Sequence, residues 1–183
     1  MKPKNRLLYV VGPSGVGKDA LINRLREIPS LNSKIYFVKR QVDRPIHASS
    51  PMDVFLSADD FVKALESQSM AMYWCANQHQ YGVTVNEMKI ALTHRLALIN
   101  GSRAYSLEVK KMYPQVEVVH ITASESIIKE RLMNRNRENA AEIENRIHRS
   151  REFSQYSTHY AKEIFNDTNL DTALEQLRQY LEM

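Results

Sequence analysis

Apolar residues recur along the chain in two rhythms. Short runs suited to buried strands stand at Leu7 to Val11, Ile35 to Val38, Ala71 to Trp74, Leu96 to Ile99, Val116 to Ile121 and Ile164 to Phe165. Between them, apolar positions follow the helical period at roughly 17–27, 58–68, 86–94, 104–112, 124–134, 140–155 and 170–182. Ser57, followed by Asp59 and Asp60, predicts an N-cap and an acidic first turn. Ser124 and Asn139 are candidate caps of the next two arginine-bearing helices. This alternation predicts an α/β fold, a mostly parallel sheet flanked by helices on both faces. No internal repeat or low-complexity linker interrupts it, so one domain over 1–183 is expected. In such folds ligands gather beyond the carboxyl ends of the strands. Three segments stand there: Gly12 to Asp19, Lys39 to Pro45 and Asn100 to Arg103.

Composition narrows the class. A hydrophobic content of 43% and a charged content of 25% are those of a soluble globular domain. No apolar run approaches the ~20 residues that cross a bilayer. The first apolar stretch, Leu7 to Val11, runs into a glycine-rich turn and reads as a strand, so a cytoplasmic protein is expected. Cys75 is the only cysteine, which excludes an internal disulfide, and it is expected to be a small buried hydrophobe. The net charge of +4 favours an anionic partner. The basic residues are arginines spread over several segments, without the dense stripe and interleaved aromatics of a nucleic-acid surface. Discrete phosphates suit that spread, because a guanidinium grips two phosphate oxygens at once.

The candidate chemistry starts at VVGPSGVGKD, residues 10–19. Its spacing is that of a phosphate-binding loop, between an apolar strand and an amphipathic helix carrying Leu21, Ile22 and Leu25. Glycines there let backbone N–H groups turn toward an anion, with the positive end of the next helix behind them. Lys18 is placed to reach the terminal phosphates. Asp19 stands where such loops carry serine or threonine. A carboxylate is a hard oxygen ligand, so Asp19 either holds Mg²⁺ or only stabilises the start of its helix.

Two arginine groups follow. Arg40 and Arg44, four apart in a segment that Pro45 biases toward extended backbone, share a face and either meet one anion or stay solvated. Arg131 and Arg135 lie on one helical face, Arg137 follows in a polar stretch, and Arg146 and Arg149 are i and i+3 on the next helix. This pair of helices reads either as a lid over a triphosphate or as a solvated hairpin of Glu–Arg pairs.

Together these residues carry a resemblance. Over nearly its whole length the chain resembles the guanylate kinase-like branch of the P-loop kinases, and within it the ribose bisphosphate kinases. Gly12, Pro13, Ser14, Gly15, Val16, Gly17 and Lys18 match the loop of guanylate kinases generally. Asp19 is the residue expected in the ribose bisphosphate kinases, where guanylate kinases have serine. WCANQHQYGV (74–83) resembles a W-x-A-N-x-x-x-Y-G-V element, INGSRA (99–104) a V-N-G-S-R-A element, and NRNRENAAEI (134–143) the lid sequence N-R-x-R-E-N-x-x-E-I.

The resemblance implies a P-loop kinase fold with an acceptor-binding lobe over about 34–85 and an arginine-rich lid over about 124–150. It implies that the loop binds ATP, with Mg²⁺ near Asp19, and that Arg40, Arg44 and Tyr81 hold the acceptor phosphate. Guanylate kinases usually carry an acidic residue that helps to read guanine in the region of Asn100 to Ser102, which Arg103 follows here. That stretch is neutral or basic here and fits a phosphosugar better than a purine. Lys18, Arg131, Arg135, Arg137 and Arg146 are the implied catalytic set. One departure stands out: Asp53 occupies the place of a histidine that the family usually carries shortly before the serine matching Ser57. The implied reaction is ATP-dependent phosphorylation of α-D-ribose 1,5-bisphosphate to 5-phosphoribosyl 1-diphosphate, with a small phosphosugar as partner and no nucleic acid or membrane. Two other readings stay open: a guanylate kinase or other nucleoside monophosphate kinase, and a non-catalytic binding module. Such modules tend to lose the loop lysine and lid arginines, which this chain keeps.

Overall fold

The computed structural model of the chain describes residues 5–44, 50–76, 78–134, 139–152 and 159–182. The first half runs β1 (Arg6–Val11), α1 (Lys18–Arg26), the one-turn α2 (Pro29–Asn32), β2 (Tyr36–Phe37), β3 (Arg40–Val42), β4 (Asp53–Phe55), α3 (Ala58–Glu66), β5 (Met70–Ala76) and β6 (His79–Thr84). The second half runs α4 (Val85–Thr93), β7 (Leu96–Asn100), a 3-10 turn (Arg103–Tyr105), α5 (Ser106–Met112), β8 (Glu117–Thr122), α6 (Glu125–Asn134), α7 (Ala140–Glu152), β9 (Lys162–Phe165) and α8 (Leu170–Glu182).

β1 lies in the middle of a parallel sheet ordered β2-β7-β1-β8-β9. Its unbroken apolar run is explained by cover on both faces. Leu8 and Val10 pack with Leu21, Ile22 and Leu25 of α1 and with Ala173, Leu177 and Leu181 of α8. Leu7, Tyr9 and Val11 pack on the other face with Met88 and Ala91 of α4 and Val109 of α5. No helix among the described residues is long and apolar enough to cross a membrane.

The run Ala71 to Trp74, expected in the parallel sheet, belongs instead to a second sheet ordered β4-β3-β6-β5. There β5 and β3 flank β6 antiparallel, and β4 adds in parallel to β3. Met72, Trp74, Tyr81 and Val83 turn one face of this sheet into the core that Tyr9 and Met88 share. Trp74 stacks on Tyr81 with centroids 5.7 Å apart and planes 7° apart. β3, β4 and β6 escaped the pattern because they are short or polar: RQV, DVF and HQYGVT. Cys75 is exposed, not buried. The strand's period of two turns Met72 and Trp74 inward and so puts Cys75 on the outer face.

The caps follow local chemistry. The Asp60 N–H donates to Ser57 Oγ at 3.1 Å. Asn139 and Glu142 form a reciprocal box at the start of α7, with N–H to side-chain contacts of 2.8 and 2.9 Å. Ser124 offers its backbone carbonyl to Ile128 at 3.0 Å, while its hydroxyl meets that of Ser126.

Candidate active site

Because β1 and β7 are parallel neighbours, the loop after β1 and the turn after β7 open at one edge of the sheet. Gly15 and Gly17 hold φ of +87° and +88°, a left-handed backbone that side chains rarely adopt. A Cβ at Gly17 would also lie 2.7 Å from Asn166 Nδ2. That same amide donates to the Val16 carbonyl at 2.7 Å and pins the loop from the end of β9. The α6–α7 hairpin is held by its own apolar seam of Ile128, Leu132, Ile143 and Ile147. It reaches the loop through two arginines of the described residues: Arg146 Nη1 donates to Ser14 Oγ, and Arg131 Nη1 makes a long 3.5 Å contact to the Val16 carbonyl. Arg135 and Arg137, and the side chain of Arg149, lie outside the described residues.

Lys18 opens α1 and donates to Asn100 Oδ1 from the end of β7. The Asn100 amide in turn donates to Asp19 Oδ1 at 2.5 Å, and Lys18 Nζ lies 3.5 Å from the same oxygen. Burial lowers the Lys18 pKa and Asp19 raises it again. Lys18, then the Asn100 hydrogen bond, hold the Asp19 carboxyl well below the usual carboxylate range against its own desolvation. Asp19 is therefore an ionised hard-oxygen donor, with 57% of its side chain exposed beside the glycine turn. No group of three or more His, Cys, Asp or Glu gathers among the described residues. The donors suit Mg²⁺ held by one carboxylate together with ligand phosphates, which is its usual habit, and not a cation caged by protein alone.

The second sheet brings Arg40 and Arg44 to one anion, and that anion is Asp53. Arg40 Nε and Nη2 donate to Asp53 Oδ1 at 2.9 and 2.7 Å, and Arg44 Nη2 donates to Oδ2 at 3.0 Å. The Arg40 Nη1 donates to the Asn100 backbone carbonyl at 2.9 Å, tying this lobe to the end of β7. Both guanidiniums lie beside the Tyr81 ring, 5.5 and 5.9 Å from its centroid, and burial pushes the Tyr81 pKa up. The Ser102 N–H donates to the Tyr9 hydroxyl at 3.0 Å.

Arg103 begins the 3-10 turn after β7. With His120, Glu125, Arg151, Tyr160 and Glu163 it lines a cavity of about 320 Å³. His120 Nδ1 meets Glu163 Oε1 at 3.0 Å, while its buried Nε2 and the Tyr160 hydroxyl have no partner among the described residues. Burial lowers the His120 pKa more than Glu163 raises it. The unfolded chain, with histidine near its ordinary value of about 6.5, then binds more protons than the fold. Stability from this group is present above about pH 6.5 and drains away as the pH falls below it, by at most about 1.4 kcal/mol per pH unit. Thermal melts at about pH 7.5 and about pH 5.5 are expected to show a smaller acid loss for His120→Gln than for the parent. Equal losses would refute this assignment.

Two residues of this site were hidden from sequence reasoning. Asn166 follows the predicted strand Ile164 to Phe165, so the rule that drew attention to the other strand ends applies to it too. Asp53 was visible only as a departure from the family pattern; its partners were not.

Comparison with known proteins fits this geometry. The sequence model of the guanylate kinase family matches residues 4–183. A ribose 1,5-bisphosphate phosphokinase PhnN from Yersinia pestis is 36% identical over 178 residues, covering 96% of this chain and 91% of its own. Another protein of that name, from Thiobacillus denitrificans, is 31% identical, with 97% and 93% covered. The crystal structure of guanylate kinase from Anaplasma phagocytophilum superposes with a TM-score of 0.72 at 14% identity, over 100% of this chain and 87% of that one, and so shares the fold. The chain thus belongs to the guanylate kinase family of P-loop kinases, in its ribose 1,5-bisphosphate phosphokinase branch.

Proposed function

We propose that this kinase transfers the γ-phosphoryl group of ATP to the 1-phosphate of α-D-ribose 1,5-bisphosphate, giving 5-phosphoribosyl 1-diphosphate and ADP. An oxygen of the 1-phosphate bonds to the γ-phosphorus as the bond from that phosphorus to the β–γ bridging oxygen breaks. The acceptor oxygen is already anionic near neutral pH, so no strong base is needed. The difficulty is electrostatic: two polyanions must meet and stay aligned.

The residues divide that task. The N–H groups of Gly12, Pro13 excepted, through Ser14, Gly15, Val16 and Gly17 hold the triphosphate, and Lys18 swings from Asn100 to its terminal oxygens. Asp19 would hold Mg²⁺, which would supply charge screening for the triphosphate. Arg131 and Arg146, already against the loop, together with Arg135 and Arg137, neutralise charge on the group in flight. Arg44 and Tyr81, with Arg40 behind them, receive the acceptor phosphate; Asn100, Ser102 and Arg103 border the sugar. In this reading one domain, 1–183, carries an acceptor lobe over about 34–85 and a lid over about 124–150, and works in the cytoplasm on phosphosugars from phosphonate breakdown.

The observation that carries the choice of acceptor is Asn100. At the end of β7 stands an amide, both ends of which are engaged with Lys18 and Asp19, where a guanine reader would need a free carboxylate. Phosphorus NMR of the purified protein with ATP, Mg²⁺ and ribose 1,5-bisphosphate tests it. The coupled pair of a sugar 1-diphosphate is expected alongside ADP. An unchanged bisphosphate, with GMP converted to GDP in a parallel tube, would overturn it.

A further inference from the structure

Asp53 opens β4 directly opposite Arg40 of β3, and its carboxylate has no exposed surface. One oxygen takes two hydrogen bonds from Arg40; the other takes one from Arg44 and one, at 2.9 Å, from the Ser50 N–H. Its two oxygens thus accept four hydrogen bonds, three of them from guanidinium N–H groups. Among the described residues, the two guanidiniums of this cluster thus share one carboxylate placed directly between them.

The two arginines are not equivalent. Arg40 uses Nε and Nη2 on Asp53 and Nη1 on the Asn100 carbonyl, and only 6% of its side chain is exposed. Arg44 keeps 20% of its side chain at the surface, beside Tyr81. Arg40 is thus a strut between the second sheet and the end of β7, and Arg44 is the cation a ligand meets first.

We propose that Asp53 is a built-in anion that sets the phosphate affinity of this lobe. It locks Arg40 into the strut and shares Arg44 with the incoming phosphate, so the acceptor is held more weakly than two unshared guanidiniums would hold it. Weak holding favours release of a product that carries one more phosphate than the substrate. The inference rests on the reading of this lobe as the acceptor-phosphate site, and not on which phosphate ester it accepts. Asp53 is a positioning residue; it touches no reacting atom.

Calorimetric titration with inorganic phosphate, with excess ADP and Mg²⁺ present to fill the P-loop, tests it on the full chain. Removing one full charge a few ångströms from the ligand is expected to tighten phosphate binding by roughly tenfold or more in Asp53→Asn. Arg44→Gln is expected to weaken it by a similar factor. A folded Asp53→Asn protein that binds phosphate no tighter than the parent overturns the proposal. If Asp53→Asn loses its cooperative melt, Arg44→Gln decides alone: unchanged affinity there overturns it too. Affinities that shift as stated without turnover of ribose 1,5-bisphosphate would keep this inference and remove the proposed acceptor; turnover with unshifted affinities would do the reverse.

Discussion

Lys18→Ala is expected to lower kcat by about 10³-fold, because one preorganised charge at the transferring group is worth about that much. The ammonium is desolvated and held between Asn100 and Asp19, so little of its field is lost to water. The substitution also takes from Asp19 the largest influence that keeps it ionised. Two parts of the loop therefore fail together, and the magnesium dependence of the residual rate should shift with the loss of kcat. Steady-state rates across a magnesium series, with a melt to confirm folding, are the check. A variant that keeps its fold and turns over within tenfold of the parent would remove Lys18 from the chemistry.

Arg146→Ala is expected to lower kcat by roughly 10²- to 10³-fold while the melting temperature stays close to that of the parent. The two effects separate because α7 is held to α6 by an apolar seam, Ile143 and Ile147 against Ile128 and Leu132, with the Lys129–Glu144 and Arg151–Glu125 ion pairs beside it. The Arg146 guanidinium instead reaches the Ser14 hydroxyl in the loop. ATP binding should weaken less than turnover, because charge on the transferring group grows toward the transition state. Rapid-quench single turnovers give the chemical step directly. If Arg146→Ala melts much lower and its chemical step is unchanged, the residue is a fastening of the hairpin and no more.

What could be read from the residues beforehand tracks how local the cause is. The β1 run and the glycine turn are contiguous, so strand, turn and helix were visible together. The Asn139–Glu142 box spans four residues and was half seen through its cap. The second sheet was not visible as a sheet. Its strands β3 and β4 hold three residues each, and their stability comes from pairing, which periodicity does not record. The spacing of Arg40 and Arg44 left a shared anion and two solvated charges open, and Asp53 meets both arginines only through the β3–β4 register. That Arg103, one residue beyond Ser102, lines a cavity with His120 depends on the 3-10 turn and is not readable from adjacency.

The most direct measurement is the ratio of kcat/KM for ribose 1,5-bisphosphate to that for GMP, followed as ADP release under identical ATP and Mg²⁺. A ratio well above about 10³ is expected, since a site lacking the partner a purine edge requires rejects it by more than size alone would. A ratio at or below one would mean that the neutral turn at Asn100 does not choose the acceptor, and that the chain is a nucleotide kinase.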